Sequence, residues 1–335
     1  MPTNASTAAH RGQVWLGLLV LYVVWGSTYL GIAYAVETIP PFLMAAIRFA
    51  LAGLVLLTWS IARSRGEFVA PTRREWRDSA IVGAMLLGGG MGMVAWGEQT
   101  IPSGIAALII GLMPVWVAVL GRVFLGERLP RIAVLGIVIG FIGVGILVAP
   151  TIAGESGALD PLGLVALVIS PISWSAGSLF ASHRATLPKQ PLVATGLQMV
   201  TGAMVLFVMA LLAGEPAGFD PAAVSRDSLV ALAYLTIIGS LLAFTVYGWL
   251  LRVAPLPFIA TYAYVNPVVA VILGVVVRDE ALDPRTILAG AVIIGAVALI
   301  VTARSRMTAP PARDAREQPT IPARPSEVAR SAGRS

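Results

Sequence analysis

The sequence predicts an all-α integral membrane protein: ten transmembrane helices, arranged as two inverted five-helix repeats around a central cavity. Three features carry that expectation. The composition is too apolar for any water-soluble fold, the apolar segments are long enough to cross a bilayer, and the repeat contains an odd number of spans. Of 335 residues, 57% are hydrophobic and 12% charged, and the 34 glycines come on top of the hydrophobic share. A soluble domain holds about 45–50% apolar residues with glycine included, and about 25% charged ones. The solvent for the excess is lipid.

The same composition excludes several kinds of chemistry. There is no cysteine, which removes disulfides, thiolate metal sites and cysteine nucleophiles. The net charge of +6 is no nucleic-acid signature, because the segment from Arg304 onward carries seven arginines against three acids. No basic face interleaved with aromatics is left elsewhere, so no nucleic acid is expected as a partner.

A helix needs about 20 apolar residues to cross ~30 Å of hydrocarbon. Val14 to Val36 qualifies, with no formal charge inside it. Ala33-Tyr34-Ala35 has the look of a signal-peptidase site, but the apolar stretch before it exceeds a signal h-region of ~7–15 residues and further spans follow. It is read as a retained first helix. Proline, glycine and charge clusters then divide the chain into spans at 41–61, 79–98, 103–124, 131–149, 162–183, 192–212, 228–251, 257–277 and 285–303. Short connections make neighbouring spans antiparallel hairpins. Residues 1–13 and the basic tail 304–335 are too polar to pack a core and are expected to be disordered. The first repeat is assigned to 14–150 and the second to 160–303.

Orientation follows from the basic residues. One side of the membrane collects nineteen of the 23 Lys and Arg residues, and the other only Arg226, Arg278 and Arg285. Both termini are therefore expected on the cytoplasmic side. Arg48 completes the count and lies inside a span.

The repeat appears when the sequence is slid along itself. Trp96, Pro102, Ala107, Pro114, Gly121, Glu127 and Leu129 fall 153 positions before Trp249, Pro255, Ala260, Pro267, Gly274, Glu280 and Leu282. Trp25 precedes Trp174 by 149 positions, each about midway along its span. Five spans per half is odd, so the second half enters the membrane from the opposite side. Inverted repeats are typical of secondary transporters, whose halves rock about a midplane site.

Several segments resemble a known family. Trp25-Gly26-Ser27-Thr28-Tyr29, Pro40-Pro41-Phe42, Ala45-Ala46-Ile47-Arg48-Phe49 and Pro102-Ser103-Gly104-Ile105-Ala106-Ala107 are similar to the EamA family of the drug/metabolite transporter (DMT) superfamily. So are Pro114…Gly126-Glu127-Arg128-Leu129…Gly136 and Pro267…Glu280-Ala281-Leu282…Gly290. The resemblance covers roughly Val14 to Thr302 and is strongest to the branch of inner-membrane drug/metabolite or amino-acid exporters. It implies a multi-pass protein of the bacterial inner membrane that moves a small-molecule substrate. One turn departs from the pattern: the second repeat reads Arg278-Asp279-Glu280 where the first has Leu125-Gly126-Glu127. That turn is expected to break the symmetry.

The residues expected to bind substrate are Trp25, Ser27, Thr28, Tyr29, Arg48, Glu98, Trp174, Ser178, Tyr262 and Asn266. Arg48 sits about seven positions into its span, roughly 10 Å deep. A charge there costs ~2.5–3.5 kcal/mol on insertion scales and faces a cavity or a partner. Two readings stand: it binds an anionic group of the cargo, or it pairs structurally with Glu98 or Glu37. Glu98 is either a proton carrier or an interfacial carboxylate paired with Arg48. Asn266 lies beside Pro267, one turn after Tyr262. It either lines a cavity at a kinked stretch or joins two helices by hydrogen bonds. Trp25, Ser27, Thr28 and Tyr29 in span one and Ser173, Trp174 and Ser178 in span six are pseudo-symmetric at mid-depth. Glu127 and Glu280 are read as turn and helix-entry residues. Gly136, Gly140, Gly143 and Gly145 in span five, with Gly290 and Gly295 in span ten, read as scaffold and as a face for a homodimer.

No catalytic, metal or cofactor site is expected. Gly88-Gly89-Gly90-Met91-Gly92 lies within an apolar span with no Lys-Ser/Thr after it, so it is not a phosphate loop. A lipid-processing enzyme is a weaker alternative, since the only histidines are His10 and His183 and the spans hold no acid cluster. A purely structural membrane protein would leave buried Arg48 and Asn266 without use.

Overall fold

The computed structural model describes residues 4–64, 68–154, 159–254, 259 and 261–308. They form ten helical spans, with no strand among the described residues. The spans are α1 (Asn4–Ala35), α2 (Pro41–Arg63), α3 (Arg73–Gly97), α4 (Ser103–Leu125) and α5 (Arg131–Ala153). The second half contains α6 (Pro161–His183), α7 (Pro191–Leu212), α8 (226–253), α9 (Tyr262–Arg278) and α10 (Pro284–Thr308). Nine of them are long and apolar enough to cross a bilayer among the described residues; the described part of α9 is 17 residues long. Pro255 and Ala260, which take part in the repeat match, lie outside the described residues, as does the expected tail from 309 on.

Helix ends differ from the sequence expectation for local reasons. α1 already starts at Asn4, within the stretch expected to be disordered, and α10 continues to Thr308. α3 starts at Arg73, six residues before its apolar run. There Thr72 accepts from the Glu75 amide and Glu75 reaches back to the Thr72 amide, a capping box that lengthens the helix through charged residues. α4 is broken: Ser103–Ile110 ends at Gly111, and Met113–Leu125 restarts with Pro114 in its first turn. α3 and α8 each contain a π-wound stretch, Ala84–Gly92 and Leu235–Leu242. π-winding inside α-helices is frequent at functional sites.

The helix pairing obeys a pseudo-two-fold exchange of α1–α5 with α6–α10. α1 packs on α8 and α9, and its counterpart α6 packs on α3 and α4. α2 packs on α7, α5 on α10 and α4 on α9, each on its own counterpart. Two glycines of span five serve the α5–α10 pair: a Cβ on Gly136 would meet Ile300, and one on Gly143 would meet Ile293, whereas Gly140 packs first on Leu112 of α4 and Gly145 faces open space. The outward faces carry large apolar side chains such as Leu19, Phe141, Phe207 and Ile272, the surface that hydrocarbon covers.

The turn expected to break the symmetry keeps it. Gly126 has φ 68° and Asp279, its counterpart, φ 54°, both left-handed. The following amides then donate alike, Glu127 N–H to Gly121 O and Glu280 N–H to Gly274 O. Aspartate tolerates this conformation better than most side chains because its short polar arm bonds locally. The turn therefore survives without glycine.

Candidate functional site

At the pseudo-two-fold axis the spans enclose a cavity of about 100 Å³, enough for several water molecules. The breaks described above lie on its wall. Ile110 and Met113 flank the interruption of α4, Gly239 belongs to the π-stretch of α8, and Met91 to that of α3. Close approach makes room for this arrangement: a Cβ on Gly89 would lie 2.2 Å from Ser173 Oγ, so α3 meets α6 only because that position is glycine.

Of the residues expected at the site, the cavity gathers Trp25, Thr28, Tyr29, Arg48, Trp174, Tyr262 and Asn266. It does not gather Ser27, Ser178 or Glu98. Ser27 donates to Val24 O and shares a 2.5 Å hydrogen bond with Tyr234 of α8. Ser178 donates to Trp174 O within its own helix at 2.8 Å. Both hydroxyls are spent on helix contacts. Sequence reasoning missed Phe49, Met91, Met113 and Phe244, which also line the cavity. The repeat offset was a usable signal, because Met91 and Phe244 are 153 positions apart, as are Met113 and Asn266.

Among the described residues Arg48 is the only formally charged one on the wall. It is 3% exposed. Its Nε donates to Ser240 Oγ at 3.0 Å, and the guanidinium lies 4.8 Å from the ring centroid of Phe49. Neither expected carboxylate pairs with it. Glu37, past the end of α1, binds Arg278 at 2.7 Å. Glu98 forms no ion pair among the described residues. Arg48 instead turns toward α8, where Gly239 leaves it space. Arg48 is thus held by a hydroxyl, and no ion pair joins it to either carboxylate among the described residues.

Around Arg48 the wall is aromatic and sparsely polar. Trp25 packs edge-on against Tyr262 at 5.0 Å and against Phe244 at 5.7 Å. Asn266 is 8% exposed, and its Oδ1 has no hydrogen-bond partner among the described residues. A buried acceptor without a donor costs about 1–3 kcal/mol. The wall therefore offers a cation on α2, an unsatisfied acceptor on α9 and aromatic faces between.

At one end of the bundle, here the Glu280 end, side-chain contacts hold α9 against α4 and α1. Glu280 Oε1 accepts from Ser103 N–H at 2.9 Å and Ser103 Oγ at 2.6 Å, and Oε2 accepts from Gly104 N–H at 3.0 Å. A carboxylate from the α9–α10 turn thereby caps α4. Arg278 ties α9 to α1 through Glu37 and lies 4.8 Å over the Tyr34 ring. Gly104 packs on Val271, and Gly111 on Pro267. Glu280 thus reaches beyond its own turn to the entry of α4.

Comparison with known proteins agrees with this architecture. The EamA-like transporter family matches the chain twice, over residues 13–149 and 161–302. The uncharacterized inner membrane transporter YedA of Escherichia coli K12 is 36% identical over 88% of this chain and 92% of its own length. Protein PecM of Dickeya dadantii is 27% identical over 83% of this chain and 88% of its own. A solved structure, described simply as the crystal structure of a protein, superposes with a TM-score of 0.59 at 21% identity, covering 89% of this chain and 99% of that one. That last likeness is one of fold.

Proposed function

The chain belongs to the EamA-like transporter family, and we propose that it is a secondary transporter exporting small zwitterionic metabolites, amino acids foremost, across a bacterial inner membrane. Transport proceeds by alternating access, the two five-helix halves rocking about the cavity. The observation that carries this reading is Arg48, a buried guanidinium on the cavity wall with no carboxylate partner among the described residues. A cargo carboxylate supplies the missing partner, in the paired geometry for which arginine is suited. The free Oδ1 of Asn266 accepts from the cargo ammonium, and the Trp25–Tyr262–Phe244 cluster presents ring faces to the same cation. The amino end of the α4 segment Met113–Leu125 abuts the cavity and adds positive potential for the anion. The small free volume favours metabolites over bulky drugs.

The basic residues support an orientation with the Glu127 end and both termini in the cytoplasm, and the Glu280 end outward. The chain carries no ATP-binding signature, so an ion or substrate gradient drives export.

The test is a thermal-shift screen of purified protein against amino acids, other metabolites and cationic drugs. Stabilisation by a zwitterion in wild type that disappears in Arg48→Met is the expected result. Stabilisation by bulky cations alone, unchanged in Arg48→Met, would replace this reading with drug efflux through the aromatic wall.

A further inference from the structure

Glu98 takes no part in the cavity wall and has no evident structural use. It caps the last turn of α3, its N–H donating to Val94 O at 2.9 Å, and it is 6% exposed. Both carboxyl oxygens are buried, and neither has a hydrogen-bond partner among the described residues. The charged and titratable groups around it are committed elsewhere. Arg278 and Glu280 at the end of α9, Arg48 on α2 and Tyr29 on α1 lie within electrostatic reach of it. Arg278 is bound to Glu37, Arg48 to Ser240, and Glu280 to Ser103 and Gly104. At the start of α6, Asp160 accepts from Thr100 Oγ1 and the Gly163 amide. On α8, Tyr234 is bound to Ser27. An ionised carboxylate in this place has lost its water and gained no donor, and the repulsion of Glu280 works against the attraction of Arg278 and Arg48. The neutral acid is the form that such burial holds.

We propose that Glu98 is a proton-binding site coupled to closure of the Glu280 end: the protonated acid permits closure, and release of its proton opens that end. In the opening step the carboxyl O–H bond breaks and the proton passes to water. The carboxylate left behind needs a counter-charge, and Arg278 is the cation at that end of the bundle. Arg278 can serve it only by leaving Glu37, which severs the link between α9 and α1 and lifts the guanidinium from the Tyr34 ring. Reprotonation removes the demand, and Arg278 returns to Glu37. One proton is exchanged per opening and closing, which makes a proton gradient able to bias the cycle.

The absence of native cysteine makes this testable without any cargo. Val271, packed against Gly104 at the closed end, is replaced by cysteine in the full-length protein. Modification of the thiol by a bulky maleimide is then timed in detergent from mildly acidic to mildly alkaline pH. The same measurement with Glu98→Gln added corrects for ionisation of the thiol itself. Relative to that control the rate is expected to rise with pH by up to about tenfold per unit, the limit for one proton. Identical pH profiles with and without Glu98→Gln would overturn the proposal. Infrared spectroscopy supplies a second measurement. A protonated-carboxyl stretch is expected in wild type at neutral pH and should vanish in Glu98→Gln. Its absence from wild type at neutral pH would overturn the proposal with no variant needed.

Discussion

Replacing Arg48 by methionine separates cargo binding from folding. The substitution removes the Nε–Ser240 hydrogen bond, and a bond to a charged group contributes about 1.5–3 kcal/mol. It also removes a guanidinium that is 3% exposed and has no counter-ion among the described residues, relieving a desolvation penalty of about several kcal/mol. Methionine fills much of the vacated volume with flexible apolar atoms. The opposing effects leave the stability of the free protein within about 2 kcal/mol of wild type, so the variant should fold. Cargo binding should change far more. Truncating one partner of a buried, hydrogen-bonded charge pair costs about 2–5 kcal/mol, or about thirty-fold to several thousand-fold in Kd. Thermal shift with the zwitterion found in the screen reads this directly. At a hundred times Kd a ligand stabilises wild type by about 2.7 kcal/mol. A hundred-fold weaker Kd lowers that to about 0.4 kcal/mol at the same concentration. Arg48→Lys keeps the charge but loses the planar fork and should fall between the two. An undiminished shift in Arg48→Met would refute the assignment of the guanidinium to cargo. A variant that fails to fold would return it to a structural role.

Three further outcomes follow from the same geometry. Glu280→Ala strands the buried Ser103 and Gly104 amides and should destabilise the protein by about 2–4 kcal/mol in thermal unfolding; an unchanged melting temperature would show that the cap is not needed. Asp279→Gly relieves the left-handed φ of 54° and should stabilise by about 1 kcal/mol, while Gly126→Ala should do the reverse; the opposite pair of signs would refute the shared turn. Asp283 caps α10 by accepting from the Thr286 amide at 2.8 Å, and that bond holds its carboxyl below the usual aspartate value. A lowered folded pKa means a contribution complete at neutral pH and lost as the pH falls through that value. Asp283→Ala should therefore melt earlier than wild type at neutral pH and converge with it in acid. A gap that stays constant with pH would contradict the cap.

The spans were legible because lipid imposes a simple rule, about 20 apolar residues between polar breaks, and all ten appear in the structure. The local windings were not. A π-stretch at Ala84–Gly92 differs from an α-helix by where each carbonyl finds its amide, and the run Gly88-Gly89-Gly90 fits either. The start of α3 was misplaced because its first turns are charged and stand outside the apolar run; the capping box of Thr72 and Glu75 was the missed signal. At the site, large or unusual side chains at mid-depth were readable one at a time. Hydroxyls were not, because a serine in a helix bonds its own carbonyls as readily as a ligand, as Ser178 does. Which of its two expected roles Arg48 takes was not legible, because depth along a helix does not fix the direction of a long side chain. That direction was set by the space at Gly239.

The scaffold is symmetric, and its ionisable chemistry is not. Arg48, the seventh residue past Pro41 at the head of α2, corresponds to Gln198, the seventh past Pro191 at the head of α7. At the offset of 153, Glu98 corresponds to Leu251 and Asn266 to Met113. Two identical halves related by an axis in the membrane plane would hold cargo equally well in two opposed orientations. Their two end states would also be related by that axis and equal in energy. A cation from the first repeat and an acceptor from the second remove the first degeneracy, since a zwitterion then fits one way round. The second is removed at the Glu280 end, where Glu98, Arg278 and Glu37 have no matching trio at the other end, Arg278 itself falling opposite Leu125. Symmetry thus supplies the two conformations of the scaffold. On the proposed mechanism, the residues that depart from it decide which way a bound molecule lies and which end opens when a proton leaves.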